Sequence, residues 1–307
     1  MSVSIGTPPA PGRDHMRPTL WRLGGLTART LVIRVWEAAQ ADEILARAAA
    51  LSYAFLFSVF PLLLFVAALL SLVPVHHVIR QLMDTAAQVL PEEAATAVRT
   101  TLRQIIAGPE YRGLISLGAV TALWAGSTGI ATLMSMLNVV YKTGDQRPWW
   151  HRKLIAVLLT MILAVFVIVS TLLIMLSTRI GAALGTAGSV LTTVAPVLQV
   201  LILVDLVYYV APARRPLWGF PTPGAVTFTV LWLVMSFGLR LYVSHFSNYN
   251  VMYGSIGGLI LFMLWLFLSS VVLLLGAEVN HVIAEASRAR PVAQSPHRIR
   301  PARAGAG

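Results

Sequence analysis

Cysteine is absent from all 307 residues. That excludes disulfides, thiolate metal sites, cysteine nucleophiles and cysteine-borne lipid anchors. Charge is scarce as well: 11% of the residues are Asp, Glu, Lys or Arg, where an average soluble domain has about 25%. There is no His-Glu-x-x-His run, no phosphate loop of the Walker type and no Gly-x-Ser-x-Gly elbow, so the familiar metalloprotease, nucleotide-hydrolase and serine-hydrolase patterns are missing. His76 and His77 are adjacent and poorly spaced for a shared metal. The acids Asp84, Glu92, Glu93 and Glu110 have no histidine on the helical stripes around them. No catalytic residue, cofactor or metal ion is expected.

Apolar sequence fills the chain instead, 57% of it. Six long runs carry almost no charge: Ala50–Val73, Leu114–Tyr141, Leu154–Ser177, Val190–Ala211, Thr222–Phe246 and Gly254–Val279. Each matches or exceeds the roughly 20 residues that a helix needs to cross about 30 Å of hydrocarbon. A helix satisfies its own backbone N–H and C=O groups in lipid, so the runs predict an all-α membrane protein with six transmembrane helices.

The net charge of +11 points to membrane topology rather than to nucleic acid. Seventeen of the 23 Lys and Arg residues lie in the N-terminal 49 residues, the segment after the second run, the segment after the fourth and the C-terminal tail. The alternate segments hold five, Arg80, Arg99, Arg103, Arg112 and Arg179. The positive-inside rule then places both termini in the cytoplasm of a bacterial inner membrane. Trp149, Trp150, Tyr208, Tyr209 and Trp218 mark the same inner boundary.

Four domain segments follow. Residues 1–18 read as a disordered tail with no signal-peptide core. Residues 19–49 predict a cytoplasmic amphipathic helix, with Leu31, Val32, Val35, Trp36 and Ala39 at helical spacing. It is expected either to lie along the inner membrane surface or to pack on the ends of the bundle. Residues 50–285 form the six-helix domain, and 286–307 a basic disordered tail. Between the first two spans, Pro74–Gly113 divides at Pro91 into two short outward-facing amphipathic helices, which either cap a cavity or only connect their neighbours.

Small residues at spacings of four, Gly118–Ala122–Gly126 and Gly254–Gly258, predict close helix approaches. Ser52, Tyr53, Ser58, Ser127, Thr128, Ser135 and Asn138, with the sixth-span stripe Trp265, Ser269, Gly276 and Asn280, either line a polar cavity or bond between helices. Three charges fall within spans: Asp205, Arg240 and Glu278. Asp205 and Arg240 differ in depth by roughly 20 Å at 1.5 Å per residue, which excludes a direct ion pair. Arg240 is expected to snorkel outward. Asp205 is too short to do so and is the stronger functional candidate, unless it bonds a neighbouring helix or sits at the inner interface. Glu278 is expected at the interface.

Three stretches carry a resemblance to a family: RAAALSYAFLFSVFPLLL at Arg47–Leu64, WAGSTGIATLMSMLNVVY at Trp124–Tyr141, and YGSIGGLILFMLWLFLSSVVLLLGAEVN at Tyr253–Asn280. Together they resemble the YihY/BrkB family of bacterial inner-membrane proteins. The resemblance implies six spans and a cytoplasmic-membrane location. It also singles out Tyr253, Gly254, Glu278 and Asn280 as special, without roles. The family once bore a tRNA-processing ribonuclease label, which the missing nuclease constellation argues against, and some members are linked to serum resistance. The sequence reading is a non-enzymatic protein that handles or transports a lipid or amphipathic solute. Its partners are membrane lipids and no nucleic acid, with a homo-oligomer possible. The alternative is a membrane scaffold or envelope assembly factor. A membrane-bound nuclease or hydrolase ranks third.

Overall fold

The computed structural model describes residues 20–71, 112–214, 219–245 and 249–289. For 20–22, 67–71, 112–117, 171–193, 244–245 and 249–256 it describes backbone alone. The expected N-terminal tail, residues 74–111 with their two short helices, Trp218 and residues 290–307 lie outside the described residues, while 286–289, expected in the disordered tail, are helical.

All described elements are helical. A short 3-10 turn, Leu20–Gly25, leads into α1 (Ala28–Ala41), α2 (Ile44–Ser71), α3 (Arg112–Val140), α4 (Trp149–Val210), α5 (Pro223–His245) and α6 (Tyr249–Ala289). The single helix expected over 19–49 is therefore three pieces. Thr27 caps α1 by accepting a hydrogen bond from the Thr30 backbone. After Asp42 the chain turns at Glu43, whose φ is 51°, and α2 starts afresh at Ile44. Leu31 and Val35 of α1 pack on Val279 and Ile283 of α6, so α1 covers the end of the bundle.

Among the described residues, five helices are long and apolar enough to cross a membrane, with stretches Ile44–Val66, Gly118–Val140, Trp149–Ser170, Pro223–Val243 and Gly257–Ala289; Val194–Val210 is a shorter apolar stretch. The break expected between the third and fourth runs is absent, because helical turns continue from Trp149 to Val210 over 62 residues. A straight helix of that length would span about 93 Å. Two contacts show that it is not straight. The Gln199 side chain donates to the Phe166 carbonyl at 3.0 Å, and Arg147, just before α4, donates to the Ala211 carbonyl, just after it, at 3.0 Å. The two ends meet, so the helical path reverses between Phe166 and Gln199.

α2 packs chiefly along α3 and α6, and α5 along α6. The main core gathers Leu51, Met134, Leu137, Leu159, Tyr208 and Leu274, each at most 2% exposed. Phe57, Val120, Leu158, Val165, Leu198, Ile202, Val234 and Phe237 point outward, the apolar belt that lipid requires. One end of the bundle, here the basal end, is where α1, the α3–α4 loop, residues 211–214 and 219–222 and the last turns of α6 come together.

Candidate functional site

The fifth helix is held at its start by a buried polar knot. Thr222 precedes Pro223, and this Thr-Pro pair is an N-cap followed by a residue preset for the first helical turn. The Thr222 hydroxyl accepts from Ala225 N at 3.3 Å and from Asn280 Nδ2 at 3.2 Å, and it donates to Asp205 Oδ1. That uses its one proton and both lone pairs. Thr222 N also donates to Asp205 Oδ1 at 3.0 Å, and Gly224 N donates to Asn280 Oδ1 at 2.7 Å. Asp205 is 1% exposed. Of the roles open to it, the structure shows a hydrogen bond to a neighbouring element, with its negative charge at the positive end of a helix dipole.

Beside this knot two helix backbones nearly touch. A Cβ on Gly224 would fall 2.1 Å from the Gly276 carbonyl oxygen, and one on Gly276 would fall 2.5 Å from Tyr208 Oη. Tyr208 Oη donates to the Leu273 carbonyl at 2.6 Å. The small-residue seams are therefore partly displaced from where spacing placed them. Gly118 and Gly258 face open space, whereas Gly126 meets the Leu62 backbone and Gly129 meets Ser58. Farther along α5 and α6, Trp232 Nε1 donates to Ser269 Oγ at 3.1 Å and Trp265 Nε1 to Ser236 Oγ at 3.3 Å.

A second knot centres on Asn138. Its Oδ1 accepts from Ala213 N at 2.6 Å and from Thr143 Oγ1 at 3.2 Å, and its Nδ2 donates to Asp145 Oδ2 at 3.1 Å. Asp145 also pairs with Arg147 and Arg152 at 3.3 and 3.1 Å. One side chain thus ties α3 to the loop behind it and to the segment leaving α4. We expect Asn138→Ala to leave the Ala213 N–H without this acceptor, at a cost of about 1–3 kcal/mol. Limited proteolysis should then cut within residues 143–147 or 211–214 sooner than in the parent protein.

Around Asn138 opens a cleft of about 420 Å³, lined by Ser135, Val139, Lys142, Thr143, Asp145 and Arg152 among others. Asp205 is not among its lining residues. The cleft continues onto an outward face of α3. Thr121, Trp124, Thr128, Thr132, Ser135 and Val139 recur every three or four residues, and they are exposed or partly exposed. Residues so spaced share one face of a helix, and from Thr121 to Val139 that face runs about 27 Å. It carries four hydroxyls where an apolar stripe belongs. Three of them donate back to their own helix, Thr121 to Gly118, Thr132 to Thr128 and Ser135 to Ala131, which leaves oxygen lone pairs outward. Two cations of α4 lie against the same face. Arg152 donates to Ser135 Oγ at 3.0 Å. Lys153 donates to the Trp124 carbonyl at 2.8 Å, and its ammonium sits 4.6 Å from the Trp124 ring centroid. Among the described residues no carboxylate lies within ion-pair distance of Lys153.

The expected polar cavity is otherwise not what the hydroxyls build. Ser52, Ser58 and Ser127 bond carbonyls of their own helices, and Tyr53 is 59% exposed. Arg240 is exposed on α5, and 18 residues separate it from Thr222, about 27 Å, so it does not approach Asp205. Glu278 lies near the basal end, where its expected depth at the interface would put it, but it is enclosed there, 0% exposed, because α1 and the 3-10 turn cover the last turns of α6. Tyr253 and Gly254 lie in α6 where only backbone is described. Sequence reasoning missed Asp42, Lys142 and Thr222. Lys142 pairs with Asp42 across 100 residues of sequence, which no local pattern could reveal, whereas Thr222-Pro223 was a readable cap signal.

Among the described residues, no group of three or more His, Cys, Asp or Glu side chains is placed to hold a metal ion. Residues 35–300 match the family model described as Virulence factor BrkB. "Putative ribonuclease-like protein YfkH" of Bacillus subtilis (strain 168) is 31% identical over 77% of this chain and 89% of its own length. A "UPF0761 membrane protein" of Tolumonas auensis is 27% identical over 86% of this chain and 88% of its own. Another of that name, from Stenotrophomonas maltophilia (strain R551-3), is 27% identical over 84% of this chain, which spans 61% of that relative's length. No solved structure matches. With most of its length matched by one family model and its exposed helix faces apolar, the chain belongs to the Virulence factor BrkB family of bacterial membrane proteins.

Proposed function

We propose that this protein handles an amphiphile with an anionic headgroup, and that the headgroup follows the hydroxyl-lined face of α3 while the tails stay in lipid. The observation that carries this is the outward polar face from Thr121 to Val139, with Arg152 and Lys153 set against it. An ammonium with no carboxylate within ion-pair distance among the described residues, set against an exposed helix face that carries four hydroxyls, calls for a functional reason. Arg and Lys suit a phosphate or carboxylate headgroup, and the cleft beside Lys142 gives that headgroup a wide entrance.

In this reading the chain crosses the cytoplasmic membrane six times. The returning half of α4, with Val194–Val210, supplies the crossing beyond the five longest stretches. The basal end faces the cytoplasm, as its concentration of Lys142, Arg147, Arg152, Lys153 and Arg214 suggests.

A scaffold is the second reading, favoured by one feature. Val32, Ile33 and Trp36 on α1 are 67%, 47% and 63% exposed and share a face turned away from α6. The two readings separate in native mass spectrometry of protein released from mild detergent. Amphiphile handling predicts a retained anionic lipid, reduced at least several-fold in Lys153→Ala and in Arg152→Ala, with Arg240→Ala unchanged. Bare protein, or lipid in bulk proportion in all four proteins, would remove the amphiphile reading.

A further inference from the structure

Three buried oxygen atoms at the basal end lack hydrogen-bond partners: Asp42 Oδ2 and both carboxyl oxygens of Glu278. They belong to one cluster. The Glu278 carboxyl is set against that of Asp42, with Lys142 close by, and Tyr141 lies within electrostatic reach of Glu278. The Asp42 side chain is 8% exposed and Glu278 is 0% exposed. A buried side-chain oxygen without a partner is rare, and each one calls for an explanation. Two ionised carboxylates facing each other offer only acceptors, so no hydrogen bond can form between them.

The charges can be counted. Lys142 donates to Asp42 Oδ1 and neutralises one carboxylate. Arg47 is close in sequence, but its Nε is taken by the Asp42 backbone carbonyl at 2.6 Å. On the α6 side, His281 and Glu285 follow Glu278, and the His281 ring packs edge-on to Tyr141 at 6.2 Å. One negative charge remains, enclosed, because the single ammonium close to the pair, among the described residues, is already bonded to Asp42. A metal ion is a poor candidate for so few ligands.

We propose that Asp42 and Glu278 form a proton-binding site, holding one proton between them when Lys142 is paired to Asp42. The proton resides on Glu278 and is donated to Asp42 Oδ2, which satisfies two of the orphaned atoms at once. Like-charged carboxylates in a closed site share a proton for the same physical reason elsewhere. Lys142, 52% exposed at its side chain, also lines the cleft around Asn138. It is the lever: drawing its ammonium toward an anion in the cleft leaves the two carboxyls to hold their proton more tightly. The shared proton itself does not depend on what occupies the cleft.

Infrared difference spectroscopy of purified full-length protein tests the assignment. At neutral pH the parent protein is expected to show a protonated-carboxyl C=O band that shifts in deuterated water and is missing from Glu278→Gln. Glu278→Gln replaces a neutral acid by a neutral amide of the same shape, so its melting temperature should stay near that of the parent. Lys142→Met, at a half-exposed position, should keep the band to a higher pH than the parent. Superimposable parent and Glu278→Gln spectra in this region would overturn the proposal. So would a band whose pH dependence is unchanged in Lys142→Met, a readout that holds even if Glu278→Gln fails to fold.

Discussion

Gly224→Ala will separate α5 from α6. The added carbon would need to sit 2.1 Å from the Gly276 carbonyl oxygen and 2.6 Å from Asn280 Cγ. The first obstacle is helix backbone, which cannot swing aside as a side chain can. Overpacking a tight core costs about 1–3 kcal/mol, occasionally more, and a backbone obstacle belongs at the upper end. The shift would also pull Gly224 N from Asn280 Oδ1, and so loosen the cap at Thr222. Gly276→Ala meets Tyr208 Oη at 2.5 Å and the Gly224 carbonyl oxygen at 2.7 Å, so it should behave alike. Gly118→Ala and Gly258→Ala serve as controls, because a Cβ at either meets nothing within 4 Å among the described residues. Helix propensity predicts that they are neutral or favourable by about 0.5–1 kcal/mol. Thermal unfolding in detergent checks all four. Equal losses in the two pairs would contradict the close approach.

Asp205→Ala is the second large effect. It removes the acceptor of both Thr222 hydrogen bonds and leaves a buried N–H facing a void. Hydrogen bonds to a charged group contribute about 1.5–3 kcal/mol each, so the loss should reach several kcal/mol and appear as reduced yield and a lower melting temperature. Asp205→Asn keeps an oxygen where Oδ1 stands, and should fold. The contrast between the two variants matters for function. If Asp205→Asn also complements a deletion strain fully, Asp205 acts only by anchoring α5. If it folds and fails to complement, the charge itself has a further use.

How much of this was readable beforehand depended on the range of the interaction. Helix-forming apolar runs are local, and their positions in the chain held within a few residues for α3 and α5. Boundaries failed where helix continues beyond the apolar run. Helical turns bridge the expected gap between Ser177 and Val190 even though the path reverses there, and α6 runs on to Ala289. Asn138 and Asn280 emerged as candidates from their place among the polar stripes and in the family motifs. The structure shows each amide accepting from one backbone N–H and donating to a side-chain oxygen, Asn138 between Ala213 and Asp145 and Asn280 between Gly224 and Thr222, which explains why an amide suits both places. Glu278 looked interfacial because its neighbours along the chain approach the basic tail. Only the docking of α1, more than 230 residues away in sequence, encloses it. The groove on α3 was missed for another reason. Ser135 and Thr128 were read as facing inward, since hydroxyls in a membrane helix usually seek other helices, and hydropathy does not say which way a face turns.

The central claim is that the Thr121–Val139 face of α3 meets an anionic headgroup. The direct measurement places a photoactivatable side chain at Val139, and separately at Leu154, in vesicles of mixed anionic and zwitterionic phospholipid, and identifies the adducts by mass. Leu154 is 59% exposed and adjoins Lys153. The account predicts anionic lipid in the adducts well above its share of the bilayer, with the excess lost on Lys153→Ala. Adducts that mirror the bulk composition, or chain-to-chain adducts that assign this face to a second copy, would contradict it.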